Sequence, residues 1–452
     1  MATQDERASR AEAFARAAVE RLARAGHRAL WAGGCVRDRL LGRVPKDYDV
    51  ATSARPGEVQ ALFPRTHEVG ASFGVVCVLE PGPPGEGPPL QLEVATFRRD
   101  GAYADGRHPV AVEFSGEAED ARRRDFTVNG LFYDPLKDEL LDYVNGRADL
   151  KARLVRAIGD PAARFEEDRL RLLRAVRFAA QLGFELEAGT FAALKAHAPG
   201  IGAIARERVR EELTRMLAGP DPRRAFELLK ASGLLKAVLP EVDALAGVAQ
   251  PPQFHPEGDV WTHTLMLLGQ LRDAPPSLAW AALLHDVGKP PTFAVTDRIR
   301  FNEHEKVGAA MAEAILLRLR ASNEFTARVV ALVRQHMAFK DLPNMRAAKR
   351  VRFLRQPHFD EHLELHRIDC LASHGSLENW EFGRRELAAL GEERLRPPRL
   401  LDGEDLKALG LPPGPRYKEI LEAVEDLQLE GALTSREEAL AHVRRTYVDA
   451  GP

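Results

Sequence analysis

A chain of 452 residues, 45% hydrophobic and 29% charged, is long enough for two to four compact units, each with its own core. Its net charge of −3 excludes a protein that grips nucleic acid over its whole surface, so any RNA contact must be a local basic patch. No apolar run reaches the ~20 residues of a membrane span, the N-terminus MATQDERASR is polar rather than signal-like, and Cys35, Cys77 and Cys370 show no paired or zinc-type spacing, so a reduced, cytoplasmic setting without a membrane partner is expected.

Along the chain, residues 7–26 read as an amphipathic helix rich in Ala, Arg and Glu. Short apolar or alternating runs at 29–31, 47–51, 74–79 and 90–96 read as strands, with PGPPGEGPP at 81–89 as a hairpin loop. After Asp160–Pro161 the pattern turns to helices, with no strand signal of comparable strength. Pro251–Pro252 and QFHPEGD mark a boundary before a second helical block, and RLRPPRLLDGEDLKALGLPPGP opens a tail. The division expected is a head at 1–150, a helical neck and body at 151–250, a metal-binding helical domain at 251–390 and a helical tail at 391–452. Basic runs at Lys151, Arg153, Arg156 and Arg164, at Arg206, Arg208 and Arg210, and at Lys349, Arg350, Arg352 and Arg355 are candidate RNA patches.

The richest segment is WAGGCVRDRLLGRVPKDYDVAT at 31–52. Asp47 and Asp49 flank Tyr48 in an apparent strand, which projects both carboxylates from one face. Two hard oxygen ligands so placed suit Mg2+ between the protein and a triphosphate. Gly33 and Gly34 allow close backbone approach at the start of the helix VRDRLLG, where amide N–H groups and Arg37 would cradle phosphate.

GGCVRDRLLG followed by PKDYDVAT resembles the signature of the class II tRNA nucleotidyltransferase and poly(A) polymerase family, within the polymerase β-like superfamily. Further segments resemble that family's motifs in order over about residues 31–215. LEVATFRRDGAYADGRHP (92–109) is similar to its flexible loop, with Arg98, Asp100, Tyr103, Asp105 and Arg107. RRDFTVNG (123–130) is similar to the motif whose Arg and Asp residues contact triphosphate and ribose, here Arg123, Arg124 and Asp125. EEDRLRLLRAVRFAAQLGF (166–184) is similar to the base-selecting helix, with Asp168, Arg171, Arg174 and Arg177 in nucleotide contact. Glu93 is a candidate third metal carboxylate. CC-adding relatives lack much of the flexible loop, so its presence argues against a purely CC-adding enzyme.

The base-selecting segment has a physical reading of its own. Asp168 and Arg171, three residues apart, would be neighbours on a helix surface. Cytosine and adenine each present an amino donor beside a ring-nitrogen acceptor. Guanine and uracil present a carbonyl beside an N–H. A carboxylate accepting and a guanidinium donating therefore match C and A, and leave unpaired groups against G and U.

A second constellation runs through His263, His285 and Asp286, His304, His336 and Asp369. Adjacent His and Asp can reach one ion only at a helix end. The ordered set resembles the HD phosphohydrolase superfamily, which implies one or two divalent ions, with Ni2+, Mn2+, Fe2+ and Mg2+ equally suited by imidazole and carboxylate. The resemblances together imply an α+β protein: a polymerase β-like nucleotidyltransferase head (a small mixed sheet with helices), then an all-α neck and body, an all-α HD domain and a helical tail. They imply template-independent addition of CMP and AMP, from CTP and ATP, to the 3′ end of tRNA, with Mg2+ at the head and DNA not a partner. A-adding or poly(A) polymerase activity is the alternative. An HD-type phosphohydrolase acting on RNA ends or nucleotides is a further one.

Overall fold

The computed structural model describes residues 4–68, 74–80, 89–100, 112–251 and 258–449, and the chain divides into two compact units, Met1–Pro240 and Glu241–Pro452. Most of the loop expected at 81–89, most of the flexible-loop segment with Tyr103, Asp105 and Arg107, and most of QFHPEGD lie outside the described residues.

The first unit opens with α1 (Gln4–Arg24), whose Ala15, Ala18, Val19 and Leu22 recur at helical spacing and are buried. It continues through β1 (Ala29–Ala32), α2 (Gly34–Leu40), β2 (Asp49–Thr52), α3 (Pro56–Leu62), β3 (Thr66–Glu68), β4 (Val75–Leu79) and β5 (Gln91–Thr96). A small ribbon of β6 (Arg98–Asp100) and β7 (Val112–Phe114) precedes α4 (Glu117–Arg122), β8 (Leu131–Asp134) and β9 (Glu139–Asp142). The seven-stranded sheet runs β3-β4-β5-β2-β1-β8-β9, with β2 and β5 parallel and the other pairs antiparallel. A mixed sheet with helices is the head architecture expected.

Two registers position the site. Trp31 pairs with Val50, which brings the Gly33–Gly34 turn at the end of β1 beside the start of β2. Asp49 pairs with Glu93 across the parallel β2–β5 ladder, so the two carboxylates leave the same end of the sheet. Asp47 lies in the bend before β2 rather than in the strand, which begins at Asp49. The alternation survives: Tyr48 is buried edge-on against Trp31 at 4.8 Å between centroids, while Asp47 and Asp49 face outward.

Beyond the sheet come α5 (Gly146–Ala152), β10 (Leu154–Val155), α6 (Pro161–Glu167), α7 (Leu170–Leu182), β11 (Glu185–Leu186), α8 (Ala188–His197) and α9 (Arg206–Leu217). The expected single base-selecting helix is two helices. Asp168 is extended (φ −141°, ψ 103°) and closes α6, and α7 begins two residues later. The break has a local cause. The Asp168 side chain accepts from the Leu170 amide at 3.0 Å, a turn contact that competes with helix continuation.

Among the described residues the second unit is helical, as expected, apart from one hairpin that the sequence does not announce: Phe293–Val295 against Ile299–Phe301. Three residues per strand give too short an alternation to stand out between helices. The helix Pro276–Leu284 is buried on every side and forms the centre of the unit. The tail keeps a core of its own around Leu401, Leu406, Ile420, Val424, Ala439 and Val443. All three cysteines are free and buried. Among the described residues no helix is long and apolar enough to cross a membrane.

Candidate active site

A cleft of about 460 Å³ in the first unit gathers residues from the paired-glycine, DYD, RRD and base-selecting segments. Gly33, Gly34, Arg37 and Asp49 come from one side, Arg123, Arg124 and Asp125 from the segment after α4, and Asp168, Arg171, Arg174 and Arg177 from α7 and the break before it. Asp47 and Glu93 are not among its lining residues. They act on it through Asp49.

Burial in the dense end of the sheet, then the charge of Glu93, then that of Asp47, push Asp49 up to about 6, and Arg124 pulls in the opposite direction. A carboxylate whose ionisation is disfavoured by two acidic neighbours marks a site that a cation would relieve. Their all-oxygen character suits a hard ion such as Mg2+. Gly33 has φ +72°, and a Cβ there would meet Arg124 Nη1 at 3.0 Å. The glycine is needed for both conformation and room.

The seven arginines of the cleft are held in place by carboxylates. Arg37 donates to Asp38 at 2.8 Å and to the Asn129 side chain at 2.7 Å. Arg174 donates to Asp125 at 2.8 Å, and Asp125 also accepts from Asn129 at 3.1 Å. Burial works to raise the Asp125 carboxyl, but Arg174 and Asn129 outweigh it and hold it below the usual range. Arg177 donates to buried Glu212 at 2.6 Å and lies 4.1 Å over the Phe178 ring.

The Arg171 guanidinium does not bond the Asp168 carboxylate, although the Arg171 amide donates to the Asp168 carbonyl at 3.0 Å. It donates to Glu167 at 2.6 Å and to the main-chain carbonyls of Arg164 and Arg123, each at 3.1 Å. Asp168 instead accepts from Arg208 at 3.1 and 3.5 Å. The helix break thus separates the acid from the guanidinium that helical spacing pairs with it, while both still face the cleft.

Two functional positions escaped the sequence reading. By sequence Arg208 belongs with Arg206 and Arg210 to a candidate RNA patch, whereas α9 brings it into the cleft. Asp120 was not singled out. It is 1% exposed, accepts from Arg123 at 2.7 and 2.9 Å with one oxygen, and from Arg124 at 3.0 and 3.2 Å with the other. An acid three and four residues before an RR pair was the available signal. Asp120→Asn frees two guanidiniums to sample other rotamers, so the KM for nucleoside triphosphate should rise about tenfold or more, with a smaller change in kcat. Steady-state kinetics with varied triphosphate check this, and an unchanged KM refutes it.

The other basic runs are largely engaged within the protein. Arg156 pairs with Asp149 and Glu187, Arg164 with Glu167, Arg350 with Glu386, and Arg352 and Arg355 both with Glu425.

In the second unit five of the expected ligands converge on buried Asp286 or its neighbours. The helix ends at Leu284, so His285 and Asp286 sit at its C-terminus. His263, His285 and Asp286 form one group with ligand atoms within 4.8 Å of one another. Asp286, His304 and His336 form another. Asp369 Oδ1 lies 3.0 Å from His263 Nε2.

The imidazole orientations test whether this set fits a cation. Nδ1 of His285, His304 and His336 lies 3.0, 3.0 and 2.7 Å from the carbonyls of Ala282, Phe301 and Val333. A carbonyl only accepts, so each Nδ1 carries the hydrogen and each neutral ring turns an Nε2 lone pair inward. His304 and His336 Nε2 then face each other at 3.2 Å, an arrangement that a shared cation stabilises. Burial, then the nearby His285, push the His336 imidazole down to about 3, so it is a neutral donor at ordinary pH. Burial also opposes ionisation of Asp286, but His285, then Lys289, outweigh it and hold the carboxyl well below its usual range. Two triads sharing Asp286 have the form of a site for one or two divalent ions.

The mixed-sheet head, arginine cleft and separate His/Asp centre define a polymerase β-like nucleotidyltransferase fold joined to an HD domain. The chain belongs to the tRNA nucleotidyltransferase and poly(A) polymerase family. The family profile described as "Poly A polymerase head domain" matches residues 29–156, "Probable RNA and SrmB- binding site of polymerase A" matches 183–245, and "HD domain" matches 259–370. The chain is 36% identical to an A-adding tRNA nucleotidyltransferase of Deinococcus radiodurans over 91% of its own length and 94% of that protein's. It is 31% identical to a CCA-adding enzyme of Streptococcus mutans over 95% and 96%. A CCA-adding enzyme of Geobacillus thermodenitrificans is 44% identical over 48% of this chain, and the match spans about half (52%) of that relative's length. The crystal structure of the Bacillus stearothermophilus CCA-adding enzyme in complex with CTP superposes with TM-score 0.73 at 28% identity, covering 97% of this chain and 98% of that one.

Proposed function

We propose that the chain is a template-independent nucleotidyltransferase that adds CMP and AMP, from CTP and ATP, to the 3′ end of tRNA. The observation that carries this reading is the cleft that unites Asp49, the arginine set and the pair Asp168 and Arg171. Its seven arginines against three aspartates suit a triphosphate of opposite charge.

In this reading Asp47 and Asp49, with Glu93 beside them, hold Mg2+. Mg2+ bound there neutralises phosphate charge and makes the primer's 3′-hydroxyl a better nucleophile. Arg123 and Arg124, fixed by Asp120, face the phosphates, while Asp125 and Arg174 form one wall at the sugar. The primer hydroxyl attacks the α-phosphate, and pyrophosphate leaves while the arginines keep its charge paired. Asp168 accepts the amino group of C or A, and Arg171 donates to the ring nitrogen. Arg208, donating to both carboxylate oxygens, keeps the Asp168 side chain aimed.

The deciding experiment supplies tRNA transcripts ending before CCA with CTP alone, ATP alone and both. CMP incorporation from CTP alone, followed by AMP when both are present, is expected. AMP incorporation only, onto tRNA already ending in CC, would select A-only addition instead. That second reading is favoured by the 36% identity to the D. radiodurans A-adding protein along nearly the whole chain, against 31% to the S. mutans CCA-adding enzyme.

The HD centre supports a second activity, phosphoester hydrolysis on RNA ends or nucleotides, with His263, His285, Asp286, His304, His336 and Asp369 holding one or two divalent ions. Ni2+, Mn2+, Fe2+ and Mg2+ are all compatible with this donor set.

A further inference from the structure

The hairpin that follows the His–Asp centre carries a feature that neither metal ligation nor packing accounts for. The cross-strand register pairs Phe293 with Phe301 and Val295 with Ile299, so one face of the ribbon is entirely apolar. That face is only partly covered: Ile299 and Phe301 are half-buried, but Phe293 is 43% exposed and Val295 65%. The two phenyl rings lie 5.8 Å apart. An apolar aromatic face turned to water in a three-residue ribbon costs stability and points to binding.

Its position relative to the His–Asp centre says what it would bind. The Phe301 ring lies 6.5 Å from the ring of His304. Lys289, at the other foot of the hairpin, has its ammonium 5.4 Å from the centroid of Phe301. The same ammonium is 2.7 Å from Asp286 and donates to Gln250 at 2.6 Å. A buried cation and a cation-binding carboxylate–imidazole cluster at one end suit a phosphate. A phenyl pair directly beside them suits a flat, apolar-faced group such as a nucleobase.

We propose that the Phe293–Phe301 face is a base-stacking wall of the HD centre, which therefore takes a phosphate-bearing nucleotide rather than a sugar phosphate or inorganic phosphate. This rests on the phosphoester reading of that centre. The nucleotide is either free or the last residue of an RNA, since both present the same base and phosphate.

The test uses full-length protein loaded with Mn2+ and two fluorescent probes. One is 2-aminopurine riboside 3′-phosphate. The other is an RNA hexamer ending in that nucleotide. Stacking quenches 2-aminopurine, so binding is read from fluorescence without any turnover. The portion of quenching lost in His285→Ala reports the HD centre. Phe293→Ser and Phe301→Ser should weaken that portion about tenfold or more. Phe293→Tyr should restore it to within about threefold, and competition by ribose 5-phosphate should be the same in every phenylalanine variant. Quenching of the hexamer alone, or of the free nucleotide alone, supports the wall and identifies the source. Equal probe affinity in the wild type and both serine variants overturns the wall while leaving the phosphoester reading intact. Failure of the wild-type chain to take up Mn2+ at His285 and Asp286 overturns both.

Discussion

Asp49→Asn is expected to lower the rate of nucleotide addition by at least a thousandfold and, in the same molecule, to raise the melting temperature of the metal-free protein at pH 7.5. The first effect follows if the carboxylate holds the cation on which phosphoryl transfer depends, because an amide is a weaker, uncharged ligand. The second follows from the sign of the Asp49 shift. Its carboxyl titrates at about 6 in the folded chain, above the ordinary value of 3.8, so folding favours the protonated form. The resulting penalty is absent below about pH 4, grows between about 4 and 6, and is complete above 6. An amide carries no such penalty. The side chain reaches solvent, so screening reduces the effect to the order of 1 kcal/mol, or about 2–4 °C for a unit of this size. Mg2+ should stabilise the wild type at pH 7.5 more than at pH 4.5, and Asp49→Asn at neither. Thermal melts at the two pH values, with and without Mg2+, measure this. A variant melting at or below the wild-type temperature at pH 7.5 would contradict the carboxylate-cluster account, and retained activity would contradict the metal role.

The second large effect concerns base choice. Asp168→Ala removes the acceptor proposed for the amino group of C and A, and the discrimination of CTP over UTP should fall by about ten- to a hundredfold, corresponding to about 1–3 kcal/mol for one mismatched buried polar group. Arg171→Ala should also relax selection, with a larger loss of kcat/KM, because Arg171 additionally ties Glu167 to the carbonyls of Arg164 and Arg123. Arg208→Met is the informative companion. It leaves the Asp168 carboxylate in place but unpaired, so selectivity should weaken less than in Asp168→Ala. Competition between radiolabelled CTP and UTP on one tRNA substrate reads all three ratios. An unchanged CTP/UTP ratio in Asp168→Ala would show that the base is read elsewhere.

These predictions differ in how far the chain by itself supports them. The DYD alternation and the paired glycines depend on local periodicity and spacing, so the two carboxylates could be named without coordinates, whereas Arg123, Arg124 and Asp125 are named through the resemblance of RRDFTVNG to a family motif. The HD set was legible through its resemblance to the HD superfamily, and the helix end that its adjacent His and Asp require lies at Leu284. Glu93 was weaker from sequence, since nothing local links it to Asp49. The parallel β2–β5 register makes that link.

What the sequence determined is the inventory: a mixed-sheet head with outward carboxylates, a helical remainder, and a histidine–aspartate series in the right order. Those features follow from side-chain period and ligand chemistry, which act over a few residues. Only the tertiary structure decided the partnerships. Asp168 turned from a helix neighbour of Arg171 into the partner of Arg208, forty residues away, because its own side chain breaks the helix. Asp120 became the anchor of Arg123 and Arg124, and a hairpin too short to read brought two phenylalanines beside Lys289 and His304. The Asp168–Arg208 contact joins segments whose spacing along the chain carries no information about their distance in space, and packing alone brings them together, whereas Asp120 lies within helical reach of Arg123 and Arg124.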